Sequence, residues 1–337
     1  MGLPPIAICI PVRNEAAELP RLFAALDRLE RCEQAPLDLC LFLDGCDDDS
    51  AGLAEHYRAQ ARFRVRIEGA ASATANAGRA RRQAMRMGRR ALHDHGGLLL
   101  TTDADSRPTS NWLTAMATAL DHADVVAGRI VRAGNRPSPL QDRIERYYDA
   151  LFALRRRIDP VSWEAVSTHH YTGAANMGFR TEAYDAIGGF APLANGEDAR
   201  LVDDAARAGF RVRRDAASVV VTSDRREGRV AEGLSKSLRD LDQGDAAIVR
   251  VAHPADAAWQ YRMQAIARGA YADDRLPVIA AALDLSNDHV LGVARECPNA
   301  EAFAMRIVPA PVAGMRAVAL AVAEAELSFL SGAAQAA

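Results

Sequence analysis

The residues of this chain best suited to metal chemistry are the carboxylate pair in Asp103-Ala104-Asp105. Carboxylates at i and i+2 point to the same side of an extended backbone. Here they follow an apolar run, Leu98–Thr102, that reads as a buried strand. At a strand end, such a pair can hold a divalent cation against a diphosphate. Mn2+ or Mg2+ suits this, because such ions are held by one or two carboxylates plus substrate phosphates. The same spacing recurs at Asp47/Asp49 and Asp240/Asp242, so spacing alone leaves a functional and a chance reading open.

Other candidates cluster after apolar runs. Asp44 follows Leu37–Leu43 and can accept hydrogen bonds from a base or ribose edge. Asp44-Gly45 also reads as a turn, and Asp47, Asp48, Asp49 and Ser50 as the cap of the next helix. Asn76, Gly78, Arg79, Arg81 and Arg82 open a basic helix whose arginines face either a diphosphate or solvent. Glu197-Asp198 starts another helix. Acids are favoured there by the helix dipole alone, but one of them is also a candidate general base for an acceptor hydroxyl. Arg225 and Arg229, in a polar stretch after the last apolar run, either close over a leaving diphosphate or coat a loop. His169 and His170 default to structural roles.

These residues need a frame, and the sequence supplies one. Strand-like runs at Ile6–Val12, Leu37–Leu43, Phe63–Ile67, Leu98–Thr102 and Val125–Val131 alternate with amphipathic helical stretches at 15–30, 50–61, 77–93 and 112–120. That rhythm predicts a Rossmann-like α/β fold, a mostly parallel sheet flanked by helices, with ligands beyond the carboxyl ends of its strands. The second half is less regular. It shows a helix over 140–158, strands over 174–180, 210–213 and 218–222, and a helix over 197–208. From about Val230 a helical tail follows, broken near Pro309 and Pro311.

Composition narrows the partners. Of 337 residues, 49% are hydrophobic and 25% charged, as in an ordinary globular protein. A net charge of −3 gives no reason to expect nucleic acid. Cys9, Cys32, Cys40, Cys46 and Cys297 are odd in number and not closely paired, which argues against a disulfide framework or zinc site and fits a reducing cytoplasm. The N-terminus does not read as a signal peptide. The apolar stretch 307–330 contains Arg316, Glu324 and Glu326, too many charges for a spanning helix, although contact with a membrane surface stays compatible.

The order of motifs carries more than any one of them. Ile8-x-Ile10-Pro11-Val12-Arg13-Asn14-Glu15, Leu43-Asp44-Gly45-Cys46-Asp47-Asp48, Asn76-x-Gly78, Asp103-x-Asp105, Gly173-Ala174-Ala175-Asn176-Met177, Gly188-Gly189-Phe190 and Gly196-Glu197-Asp198 together resemble family 2 glycosyltransferases of the GT-A fold. The resemblance spans residues 5–229. It implies a GT-A domain over 1–229, with 230–337 a mainly helical C-terminal extension packed upon it. It further implies a nucleotide-sugar donor, with UDP as the best guess, a divalent cation, inversion at the anomeric carbon and an acceptor hydroxyl of unspecified origin. On it, Pro11, Val12, Arg13, Asn14, Glu15 and Asp44 contact the nucleotide, joined by Asn76 and by Arg81 as a diphosphate or base contact. Asp103 and Ala104 lie near ribose and metal, and Asp105 is the direct metal ligand. Asp198 is the catalytic base, supported by Glu197, while Gly173, Ala174 and Asn176 line the sugar and acceptor pocket.

Two departures stand out. The family's acid pair after the second strand is here Leu43-Asp44, a single carboxylate. The late metal-binding histidine of several relatives is replaced by Thr222-Ser223-Asp224, leaving Asp224 or water as third ligand. A nucleotidyltransferase, a non-catalytic nucleotide-sugar-binding protein and a retaining transferase remain as rival readings. The first usually carries a glycine-rich phosphate loop, which Pro11–Glu15 lacks.

Overall fold

A computed structural model of the chain describes residues 4–30, 36–71, 75–93, 96–133, 137–225, 234–243, 249–311 and 314–336. The first half runs β1 (Ile6–Val12), α1 (Leu19–Asp27), β2 (Leu37–Asp44), α2 (Ser50–Gln60), β3 (Arg64–Ala70), α3 (Ala77–Leu92), β4 (Leu98–Thr102), β5 (Ser106–Pro108), α4 (Trp112–Leu120) and β6 (Val125–Ala133). It continues through α5 (Pro139–Ile158), β7 (Asn176–Arg180), α6 (Thr181–Ala186), α7 (Glu197–Arg207) and β8 (Val212–Ser223). The tail holds α8 (Leu234–Gln243), β9 (Arg250–Ala252), α9 (Pro254–Ala272), α10 (Leu276–Leu283), α11 (Asn287–Arg295), α12 (Ala300–Ile307), β10 (Ala317–Ala319) and α13 (Leu320–Ala336).

Eight strands form one sheet in the order β3-β2-β1-β4-β7-β6-β8-β5. The strands β3, β2, β1 and β4 are parallel, as the alternating pattern predicts. β7 then enters antiparallel between β4 and β6, β8 lies parallel to β6, and β5 closes the edge antiparallel to β8. The sheet is therefore mixed beyond β4.

Strand periodicity of two explains the layers. Ile6, Ile8, Ile10 and Val12 join a core with Leu22, Phe23, Leu26 and Trp112 on one face. Ala7 and Cys9 point to the other, against Ala84, Met85, Phe179 and Phe190. Both faces of β1 are apolar because helices cover both.

Several elements differ from the sequence reading: β5 and α6 were not foreseen, and β3 covers Arg64–Ala70 rather than 63–67. α1 begins at Leu19 rather than residue 15, because the carbonyl of Glu15 accepts from the N–H groups of Glu18 and Leu19 in a preceding turn, and Pro20 fits the first helical turn. The runs at 210–213 and 218–222 are one strand, β8. It carries extra residues: Gly128 pairs with Asp215, but Arg129 pairs with Val219. The tail, read as helical, also contains the β9–β10 pair.

Tail helices α9 and α13 pack on α5, and α12 packs on α7. Asn299 Nδ2 donates to the Gly209 carbonyl (2.8 Å) and Arg306 Nε to that of Arg207 (2.7 Å), closing the C-terminal end of α7. Among the described residues, no helix is long and apolar enough to cross a membrane.

Candidate active site

The loops after β1 and β2 are laced together. Asn14, in the left-handed region at φ 53°, accepts at Oδ1 from Asp47 N–H (2.9 Å). Asp48 Oδ2 accepts from Ala16 N–H and Ser50 Oγ from Glu15 N–H, each at 2.9 Å. The acids at 47–49 were read as a helix cap: Asp49 at the N-cap makes no side-chain cap bond, but Asp48 Oδ1 accepts from the Ser50 N–H (3.0 Å) at the start of α2 while its Oδ2 ties the two loops. Pro11 and Val12 lie within β1, Val12 fully buried. Asp44 is buried between two cations: Arg13 Nη1 reaches its Oδ2 (3.2 Å) and its carbonyl (2.8 Å), and Arg79 Nη2 reaches Oδ1 (3.3 Å).

Asp103 and Asp105 do not sit on an extended backbone. β4 ends at Thr102, and Ser106 N–H donates to the Asp103 carbonyl (3.1 Å), so the pair lies in a turn with Ala104 buried inside it. The turn gives the two carboxylates different partners. Asp103 Oδ1 takes a 2.6 Å bond from Arg81 Nη2, whereas Asp105 Oδ2 lies 3.1 Å from Arg225 Nη2. Arg225 also forks onto both oxygens of buried Glu15, at 2.6 and 2.5 Å. Burial above all, then the neighbouring charge of Asp103, pushes Asp105 up to about 7; Arg225 opposes this, while Glu15 and Glu18 add to it. Asp105 and Glu15 thus share the guanidinium of Arg225.

Arg81 joins the two halves of the cleft. Its guanidinium is buried, with Nη1 donating to Thr101 Oγ1 (2.9 Å) and the Ala174 carbonyl (3.3 Å), Nη2 to Asp103, and Nε 3.6 Å from Glu197 Oε1. Arg81 was expected to touch the donor; in the structure its guanidinium engages Thr101, Asp103, Ala174 and Glu197. Thr101, missed in the sequence, was detectable as a hydroxyl inside an otherwise apolar strand.

Asn76 has a similar fate. Its Oδ1 caps α3 by accepting from Arg79 N–H (2.8 Å), and its Nδ2 donates to the Pro192 carbonyl (3.1 Å). Two residues on, a Cβ on Gly78 would lie 2.3 Å from the Ala191 carbonyl oxygen, so only glycine lets α3 meet the segment leading to α7. The Asn76-x-Gly78 motif thus sets α7 against α3.

Asp198, in the first turn of α7, accepts from Ala174 N–H at Oδ2 (3.2 Å) and Ala199 N–H at Oδ1 (2.7 Å). Glu197 beside it is buried against Arg81; burial raises its pKa and Arg81 opposes. Ala174, which follows Gly173, lies beside Asp198 through its N–H. Asn176, expected to line the pocket, is instead fully buried, with Nδ2 donating to the carbonyls of Arg129 (2.8 Å) and Ser218 (3.0 Å) and Oδ1 accepting from Trp112 Nε1 (2.8 Å). A polar side chain so engaged holds the irregular β6–β8 pairing together and has no amide left for a sugar. Asp224 lines a cavity of about 270 Å³ with Arg129, Arg132, Glu145 and Tyr171. Arg229 lies outside the described residues.

Among the described residues, no group of three or more His, Cys, Asp or Glu is disposed to hold a metal ion.

A family model described as glycosyl transferase family 2 matches residues 7–188. Among similar solved structures is S. aureus TarS 1–349 in complex with UDP-GlcNAc, 14% identical, with 90% of each chain covered and a TM-score of 0.52. Another crystal structure of S. aureus TarS is 12% identical at a TM-score of 0.50, covering 89% of this chain and 54% of that one. At such identities the likeness is one of fold. No curated protein matches the chain. The matched segment takes in more than half of the 337 residues, so the chain belongs to glycosyl transferase family 2 and is a glycosyltransferase of the GT-A fold.

Proposed function

We propose that the protein moves a sugar from a nucleoside-diphosphate donor to an acceptor hydroxyl in one inverting displacement. The observation that supports this most is the double engagement of Arg81, with Asp103 at 2.6 Å on one side and Glu197 at 3.6 Å on the other. One buried guanidinium links the turn carrying Asp105 to the helix start carrying Asp198.

In this reading Asp198 takes the proton of the acceptor hydroxyl as that oxygen attacks the anomeric carbon. The Ala174 and Ala199 N–H groups hold its carboxylate in place. Glu197 fixes the helix start through Arg81 and is a support, not a second base. Pro11–Glu15 and Asp44 form the nucleotide side, and Arg225, beside Asp105, lies within reach of a departing diphosphate. Uridine is the nucleotide we favour, in keeping with the UDP-GlcNAc bound by TarS.

The carboxylates of Asp103 and Asp105 on one turn suit a divalent cation, Mn2+ or Mg2+. Asp105, with Asp103, would hold it, and substrate phosphates and water would complete its coordination. When bound, such an ion supplies electrostatic stabilisation of charge on the diphosphate leaving group. Residues 1–229 would form the catalytic domain, with 230–337 supporting the acceptor side. The free cysteines Cys9, Cys40, Cys46 and Cys297 suit a reducing cytoplasm.

The test is release of nucleoside diphosphate from a donor panel, with and without Mn2+, with the product's anomeric configuration read by NMR. Asp198→Asn should lower kcat by roughly 10²–10⁴-fold or more while leaving donor affinity by calorimetry within a few-fold. Loss of donor binding together with turnover would remove Asp198 from the role of base.

A further inference from the structure

Three guanidiniums meet beside α7, around the carboxylate of Glu164. Arg155 and Arg156 come from the end of α5 and Arg214 from β8. They gather over Phe152, their guanidinium carbons 5.9, 5.2 and 4.5 Å from its ring centre, and Arg155 lies 5.3 Å from that of Tyr261. The Nε of each is buried without a hydrogen-bond partner. Buried polar groups in native proteins are nearly always satisfied, so three orphan donors in one cluster call for a ligand.

The charges do not balance internally. Glu164 is the acid facing the cluster, its Oε2 3.8 Å from Arg156 Nε, while its Oε1 accepts from the Arg214 backbone N–H (2.6 Å). Of the neighbouring acids, Glu301 and Asp159 share Arg268, and Asp203 pairs with Arg207. Arg155 otherwise reaches only the neutral Gln264 (3.3 Å). Burial first, and then the charge of Arg155, pushes both Arg156 and Arg214 down to about 10. With Arg268 and its two acids included, four guanidiniums face three carboxylates, leaving a net positive charge that favours an anionic group such as a phosphoryl.

These arginines line a cavity of about 350 Å³ whose wall also includes His170, Thr172 and Ala199. Thr172 immediately precedes Gly173, and Ala199 immediately follows Asp198. The cavity therefore abuts the segment where the acceptor hydroxyl would meet its base. We propose that this cavity binds the phosphoryl group of an anionic acceptor, seated by Arg155, Arg156 and Arg214. The anion site stands on the cluster alone; its assignment to the acceptor rests on the transferase reading.

Two measurements separate these parts. The first follows thermal unfolding with millimolar inorganic phosphate against chloride of matched ionic strength, for the wild type, Arg155→Gln and Arg214→Gln. Phosphate should raise the wild-type midpoint by a few degrees and lose most of that effect in both variants. In chloride, Arg214→Gln should be no less stable than the wild type, since it removes an unmatched buried charge, an outcome a purely structural arginine would not give. A phosphate response equal in all three proteins overturns the site. The second compares turnover of a sugar alcohol with that of its monophosphate ester. The wild type should favour the ester about tenfold or more in kcat/KM, falling toward parity in both variants. Loss of the phosphate response in the variants without any ester preference in the wild type overturns the acceptor assignment. Failure of every donor to turn over removes that assignment with the transferase reading, while the phosphate response still reports the site.

Discussion

Arg81 contacts Thr101, Asp103, Ala174 and Glu197 through a guanidinium that is nearly inaccessible to solvent. A lysine there keeps the charge but loses the planar fork, so it cannot serve all four at once. Arg81→Lys should cost about 2–4 kcal/mol by urea unfolding, below the full value for a broken buried pair because the Asp103 side chain is 35% exposed. It should also lower kcat, since both acidic motifs lose their shared anchor. His169 offers a second test at this scale. It is fully buried, and its Nδ1 accepts from Tyr171 N–H (3.1 Å), so the proton of the neutral ring sits on Nε2. Burial above all, then Arg214 and Arg129, pushes its pKa from 6.5 down to about 3. The unfolded chain therefore takes up a proton the native state refuses. This contribution to stability is whole above pH 6.5 and declines toward pH 3, by about 2 kcal/mol between pH 6.5 and 5. Chemical denaturation at the two pH values should show that extra slope in the wild type and its absence in His169→Gln.

At the level of elements, the junction of β6, β7 and β8 shapes the floor of the cleft. The bulged pairing survives because Asn176 bridges the Arg129 and Ser218 carbonyls, and because Gly128 leaves it room: a Cβ there would lie 2.4 Å from the Asn176 side chain. Asn176→Ala abandons two buried carbonyls and the Trp112 N–H, and should cost roughly 3 kcal/mol or more. If Asn176 is structural, donor affinity per folded molecule will stay within a few-fold; a large rise in donor Kd without loss of stability would restore the ligand-contact role. Strand periodicity and the helical stripes made β1, β2, β4 and α3 legible in advance. The bulge was not, because its cause is a side chain from a strand distant in sequence. For the same reason the family resemblance alone set the expectation for Asn76 and Asn176: only the neighbours say with what an amide hydrogen-bonds.

The tail bears on the whole molecule through α7. Its Asn299 and Arg306 close the end of the helix that begins with Glu197-Asp198, and α9 and α13 cover α5. Removal of residues 230–337 should uncover Tyr147, Leu151 and Leu154 on α5, seen as increased binding of a hydrophobic dye and a lower unfolding midpoint. A chain of 1–229 unchanged in both would mean the tail is an independent appendage.

From the sequence alone came the parallel core, the edge on which the acidic residues gather and the order of motifs that marks the family. The first two follow from local periodicity and from residue type at strand ends, which need no knowledge of distant partners, while the third rests on a family resemblance. Tertiary structure decided the roles. Asp103 and Asp105 carry the same carboxylate two residues apart, yet a turn hands one to Arg81 and the other to Arg225. Burial and neighbouring charge then separate them, because a carboxylate's electrostatics depend on what surrounds it in space and not on its place in the chain.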